Sequence, residues 1–270
     1  MNEGTYVSRV PHPEFREGVR SIVAWHERTP GTIARREVAQ DVVTLILNLG
    51  PPLRVGGRGE PLSPRASFVA PMNGHFGLTE FGGESTGIQI DVSPTFARRL
   101  LGVRMSELDA VVYPLDELTG SWGADLVERL GDAAGWEARL DLLEAALRRR
   151  LRDAEDTPPD TAYAWSMLRR SGGTIPVSDL TRSIGCSERH LSRRFRDHVG
   201  LGPKASGRVI RFHRTLEMLT GGAELAEAAA AGGYSDQPHM NRDFGELAGS
   251  SPGALMASRM ADVPGFAHFD

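Results

Sequence analysis

The sequence predicts an α+β protein of two parts: a β-rich N-terminal domain that carries a helical layer, and an all-α C-terminal domain with two helix-turn-helix units. Three observations carry that reading. Residues 5–91 are short apolar runs interrupted by glycine and proline, the pattern of strands and turns. From residue 161 onward the strand signal is gone, and short helical periods follow one another, each bounded by Gly, Ser or Pro. Finally, a set of residue types in the stretch 190–203 returns at an offset of 49 positions.

The 270 residues, 40% hydrophobic and 24% charged, suffice for two domains with cores of their own. The spacing places an N-terminal domain at 1–153, a linker at 154–160 in the acidic, proline-bearing DAEDTPPD, the helical domain at 161–258 and a tail at 259–270. No run approaches the roughly 18 apolar residues of a membrane span, and MNEGTYVSRV lacks the basic and apolar regions of a signal peptide. A cytoplasmic protein without membrane association is expected. Cys186 is the single cysteine, which excludes an internal disulfide and a cysteine-cluster zinc site.

In the N-terminal part, DVVTLILNLG, ASFVAPMNG, FGLTEFGG and STGIQIDVSP read as short strands of a sandwich or incomplete, cupin-like barrel. In SPTFARRLLGV the period changes, with Ser93 as N-cap, Pro94 at the first helical position and Phe96, Leu100 and Leu101 on one side. The helical layer continues through MSELDAVV, LTGSWGADLVERLGDAA and WEARLDLLEAALRRRLRD. The last of these spaces Leu140, Leu143, Leu147 and Leu151 by three and four. That apolar face either packs on its own domain or forms a homodimer seam, and the spacing does not choose between them.

In the C-terminal part, PVSDLTRSIG sets Val177, Leu180 and Ile184 at helical spacing, Gly185 marks a turn, and Ser187 caps SERHLSRRFRDHVG. Helix, glycine turn and arginine-rich helix form the outline of a DNA reader. The overall charge of −4 argues against nucleic acid, but residues 182–214 hold nine Lys/Arg against two Asp/Glu. That local excess is the footprint of a phosphate-binding face.

The repeat strengthens the case. His190, Leu191, Arg193, Phe195, Gly200 and Pro203 return as His239, Met240, Arg242, Phe244, Gly249 and Pro252. Upstream, Gly185 meets Gly233 if the second turn carries one extra residue, and Val177 and Leu180 then meet Leu225 and Ala228. Leu191 and Phe195 lie four apart, as do Met240 and Phe244, so each pair anchors one helix face and turns the intervening polar residues outward. RVIRFHRTLEML joins the units; a helix of about 14 residues spans roughly 20 Å, against about 34 Å between successive major grooves.

The paired units, the joining helix with RFHRTLEML and the G-x-x-P after each recognition helix resemble the AraC/XylS family of bacterial transcription regulators. GIQIDVSPTFARRLLGV followed by YPLDELTGSW is similar to the sensor-type domain of one branch of that family. The resemblance implies a sequence-specific DNA-binding transcriptional regulator responding to a small-molecule effector, with double-stranded DNA as partner and RNA polymerase as a second partner if it activates. It further implies that bases are read by Arg189, Ser192 and Arg193 in the first unit and by Gln237, Pro238, His239, Asn241 and Arg242 in the second. Arginine pairs with guanine and Asn or Gln with adenine, whereas Arg194 and Arg196 suit phosphate, which positions without specifying. Thr181 and Thr215 depart from the alanines common at tight packing points in the family. The second unit is acidic: residues 217–246 hold six Asp/Glu and one arginine. The first unit is therefore expected to supply most of the affinity.

Catalysis is not expected. The sole cysteine falls in the reading turn, and His12, His26 and His75 are too scattered in residues 1–160 for a metal site, so no metal or cofactor is assigned. Trp25, Phe68, Met72, His75 and Phe76 are candidates for an effector pocket, since aromatic and soft side chains with a few polar atoms suit organic ligands. The alternative is an N-terminal domain that only dimerises or binds a protein.

Overall fold

The computed structural model describes residues 3–259 and 266–267. The N-terminal strands are β1 (Glu3–Arg9), β2 (Val19–Glu37), β3 (Val43–Asn48), β4 (Leu53–Gly57), β5 (Ser63–Arg65), β6 (Phe68–Ala70) and β7 (Gly77–Val92). Helix α1 (Pro94–Leu101), the short strand β8 (Tyr113–Pro114) and helices α2 (Leu115–Thr119), α3 (Ser121–Asp132) and α4 (Gly135–Leu151) follow. The sheet is antiparallel in the order β1-β2-β7-β3-β6-β8, with β4 on the remaining length of β7, β5 on β4, and β9 (Phe266–Ala267) on β2. Of the tail expected at 259–270, residues 260–265 and 268–270 lie outside the described ones.

Two strands are far longer than the sequence pattern suggested. FGLTEFGG and STGIQIDVSP form one strand, β7, paired with the 19-residue β2 from Val19↔Val92 to Glu37↔Gly77. Gly82 and Gly83, which look like a turn, sit where the register shifts between Thr29 and Thr32, and Gly83 takes a φ of +76°. A β-bulge uses glycine for the same reason a turn does, so composition does not separate the two. Strands β1 and most of β2 carry too many polar residues to announce themselves. MSELDAVV, expected to be helical, forms only a single 3-10 turn at Met105–Glu107.

The period of two decides what each sheet face does. Ile22, Ala24, Leu45, Leu47, Ile88 and Ile90 are buried on one face, in a cluster with Phe96 and Leu100 of α1 and with α4. Val23, Trp25, Glu27, Thr44, Ile46, Gln89 and Asp91 face the other way into a cavity. Tyr6 of β1 and Phe68 of β6 line that same space from distant positions in the strand order, so the sheet is curled into an open barrel.

The leucines of α4 resolve the alternative left open above. Leu140, Leu143 and Leu147 are no more than 1% exposed, and Leu151 is half-buried against the same cluster. The homodimer seam is thus corrected: this face is filled by the chain's own sheet and helices. Each of the three fully buried leucines contributes about 1.5–3 kcal/mol by leaving water.

The C-terminal part comprises α5 (Pro159–Arg170), α6 (Val177–Ile184), α7 (Glu188–Val199), α8 (Pro203–Thr220), α9 (Leu225–Ala231), α10 (Gln237–Leu247) and α11 (Pro252–Ala257). Trp165 packs on Phe195 at 6.2 Å, and Phe212 meets Phe244 edge-on at 4.7 Å. The joining helix α8 runs 18 residues, about 27 Å. Thr215 is tolerated there because its hydroxyl donates to Arg211 O and Gly232 leaves it room. Between α4 and α5 only 152–158 lack regular structure, and one hydrophobic cluster runs from Phe15 to Leu255 across both parts. No helix among the described residues is long and apolar enough to cross a membrane.

Candidate nucleic-acid interface and the cavity behind it

The two units are built alike, position by position. Helix α6 ends at Gly185, with φ +75°, and α9 is followed by Gly233, with φ +76°; only glycine adopts this left-handed turn without strain. Ser187 Oγ caps α7 by accepting from His190 N at 3.3 Å, and the Asp236 carboxylate caps α10 by accepting from His239 N at 2.7 Å. Leu180 and Ala228, Leu191 and Met240, and Phe195 and Phe244 are all buried. Gly200 and Gly249 again have positive φ, and Pro203 and Pro252 open the next helices. The offset seen in the sequence is therefore an equivalence of backbone and core.

Between these anchors, Arg189, Arg193, Arg196, Gln237, Pro238, Asn241 and Arg242 are exposed, and Ser192 and His239 are half-buried. His239 lies edge-on to Tyr234 at 5.1 Å and within 3.3 Å of Ser235 Oγ. Pro238 occupies the first turn of α10, where its missing N–H costs nothing. Arg194 departs from the expectation. It donates to both Asp160 oxygens at 2.8 and 3.0 Å, and although burial raises the Asp160 carboxyl, Thr161 and Arg194 hold it below the usual range. Arg194 is thus tied to α5 through an ion pair in which its side chain stays 40% exposed.

Ion pairing trims the positive excess elsewhere too. Of the nine cations in 182–214, Arg182 pairs with Asp179, Arg194 with Asp160, Arg208 with Asp243 and Glu246, and Arg211 with Asp243. Arg189, Arg193, Arg196, Lys204 and Arg214 have no ion-pair partner among the described residues, and the first three are exposed on α7.

The family described as helix-turn-helix domain matches residues 180–258. The HTH-type transcriptional regulator GlxA of Rhizobium meliloti is 28% identical over 173 residues, 61% of this chain and 52% of that protein. The uncharacterized HTH-type transcriptional regulator YbfI of Bacillus subtilis is 33% identical over 66 residues, 24% of each. The chain thus spans about half the length of the first relative and a quarter of the second. Among solved structures, ToxT from Vibrio cholerae overlays with a TM-score of 0.48 at 10% identity, covering 95% of this chain and 98% of that one. The C-terminal domain is thus similar to the helix-turn-helix family over residues 180–258. The doubled unit, matched by residue type, by cap and by left-handed glycine, agrees with that likeness.

The helix-turn-helix domain rests on the cavity wall. The cavity in the curled sheet measures about 650 Å³. Trp25, Phe68 and His75 line it as expected; Met72 and Phe76 do not. They lie on a wall segment whose neighbours Pro71, Asn73 and His75 face the cavity, and that segment meets the helix-turn-helix domain. Gly200 lies against the carbonyl of Met72, and a Cβ at Gly249 would come within 2.5 Å of the Phe76 ring. A second wall segment, 38–42, does the same: Val38, Gln40 and Val42 line the cavity, while Ala39 N donates to Leu247 O of α10 at 2.8 Å. Buried Asp41 accepts from Arg20, and from Arg169 of α5 at 2.8 Å.

The polar residues of the cavity were missed in the sequence reading. Glu27, 1% exposed, accepts from Arg35 at 2.9 Å on both oxygens and also from the Tyr6 hydroxyl, whose pKa is raised chiefly by burial and then by Glu27. Asp91 accepts from Ser21 and Thr44 at 2.7 Å and from Gln89. The alternation Ile88-Gln89-Ile90-Asp91 is the signal that could have found them.

Proposed function

We propose that the protein is a sequence-specific DNA-binding transcriptional regulator whose N-terminal cavity takes a small-molecule effector. The observation that carries the reading is the pair of equivalent capped helices, α7 and α10, which present Arg189, Ser192, Arg193 and Arg196, and Gln237, Pro238, His239, Asn241 and Arg242, from one rigid support. Arginine and amide side chains on helix N-terminal halves are the chemistry that reads base edges in a major groove. The relatives described as transcriptional regulators support the same class.

The effector half of the proposal rests on the shared walls. Segments 38–42 and 71–76 face the cavity with some residues and touch α10, α5 and the glycines after both reading helices with others. A molecule that alters the wall alters how the two readers are held, which is the differential contact that a population shift needs. A volume of about 650 Å³ suits a small organic molecule.

Selection of genomic fragments by the purified protein, followed by sequencing, tests DNA reading. One enriched motif with two half-sites about 10 base pairs apart is expected; enrichment of none sinks the proposal. A thermal-shift screen of metabolites tests the cavity, since a bound effector raises stability, and silence across the screen would favour a domain that only dimerises or binds protein.

A further inference from the structure

The lining of the cavity is of two kinds, and together they indicate what it holds. Ile33, Ile46, Leu53, Val55, Phe68 and Phe81 form a separate apolar cluster, and all but Ile33 line the cavity. The same lining carries the polar Tyr6, Glu27, Arg35, Gln89 and Asp91, with Arg35 beside the Phe81 ring and Gln89 opposite Ile46 in the β3–β7 register. An occupant therefore has an apolar body and a polar head.

The head's charge follows from which polar groups are already satisfied. Arg35, the only Lys or Arg among the described lining residues, gives Nη2 to both oxygens of Glu27 and sits 5.0 Å from the Phe81 ring centre, and its buried Nε has no hydrogen-bond partner among the described residues. Glu27 neutralises Arg35, so an anionic head meets a paired cation with one open N–H and no spare charge. Asp91 is different. Its hydrogen bonds come from Ser21, Thr44 and Gln89, all neutral donors, and no Lys, Arg or His pairs with it among the described residues. Gln89 spends its Nε2 on both Asp91 oxygens at 3.0 and 3.1 Å, which leaves its Oε1 as an acceptor. Glu37 in the lining is a further carboxylate, held by Thr79 at 2.6 Å. Around Asp91 and Gln89 the cavity offers acceptors and a carboxylate with no cationic partner among the described residues.

From this we infer that the effector is an organic cation, a protonated amine on a hydrophobic body, with its ammonium at Asp91 and Gln89 and its body among Leu53, Val55, Phe68 and Phe81. This inference rests on the proposed effector function and names its chemical class. An ammonium brings three donors and no acceptor, which matches the site, and charge-assisted bonds are the strong ones.

The test is a matched triad of phenylbutylamine, phenylbutanol and phenylbutyrate, titrated calorimetrically into the full-length protein. The amine is expected to bind about tenfold or more tightly than the alcohol, and the acid to bind weakest. Asp91→Asn should remove that advantage and leave alcohol binding within about twofold. Equal or tighter binding of the alcohol or the acid overturns the cationic class while leaving an effector cavity standing. An amine that does not bind overturns the inference as well, and the wider metabolite screen then decides separately whether the cavity takes any ligand. The wild-type triad remains decisive should Asp91→Asn fail to fold.

Discussion

The two reading units share a skeleton and differ in charge. Leu191 and Phe195 do in the first what Met240 and Phe244 do in the second, the caps and left-handed glycines coincide, and the following prolines open equivalent helices. Yet 182–214 carries nine cations against two anions and 217–246 one against six. The acidic residues of the second unit are partly structural: Asp243 and Glu246 accept from Arg208 at 2.6 Å and so fasten α10 to α8. Buried positions that set geometry and exposed positions that set affinity therefore vary independently, and a pair of readers can be equal in shape and unequal in strength.

The largest expected effect tests the equality of shape. Phe195→Ala and Phe244→Ala should each cost about 3–5 kcal/mol of stability in chemical denaturation, because both rings are fully buried. A much smaller cost at Phe244 would break the equivalence. The inequality of strength comes next: Arg193→Ala should weaken operator binding by about 1–3 kcal/mol and Arg242→Ala by less, measured over a salt series. A larger loss for Arg242→Ala would reverse the ranking. Releasing Arg194 from α5 sharpens the comparison further. With Asp160→Ala, one more phosphate contact should steepen the salt slope by roughly 1, and an unchanged slope would place Arg194 off the DNA.

The smallest effect concerns pH at the contact between the domains. His213, facing Asp41, Glu217, Arg20 and Arg169, has a proton affinity lowered chiefly by burial, and His198, which accepts from Arg98 at 3.0 Å, is lowered by burial and then by Arg98. Both are neutral when folded. Their contribution is whole above the ordinary value of 6.5, where the unfolded chain is also neutral, and drains away as the pH falls through the lower folded values. Melting temperatures should fall on acidification below that point, and less steeply in His198→Gln and His213→Gln. Equal slopes would mean that other groups control the acid limb.

What the sequence alone determined is what short-range chemistry encodes. Caps at Ser93 and Ser187, glycine turns at 185 and 233 and apolar spacing of three and four fix helices within a turn or two, so the repeat, the helix-turn-helix domain and the outward positions of α7 and α10 were all legible. Only the tertiary structure decided which groups far apart in the chain meet. It joined two apparent strands through the bulge at Gly83, buried Leu140, Leu143 and Leu147 in the chain's own core, tied Arg194 to Asp160 and kept Met72 and Phe76 out of the cavity lining, with the Phe76 ring against Gly249. Each of those outcomes depends on a partner dozens of residues distant, and local spacing carries no information about that partner.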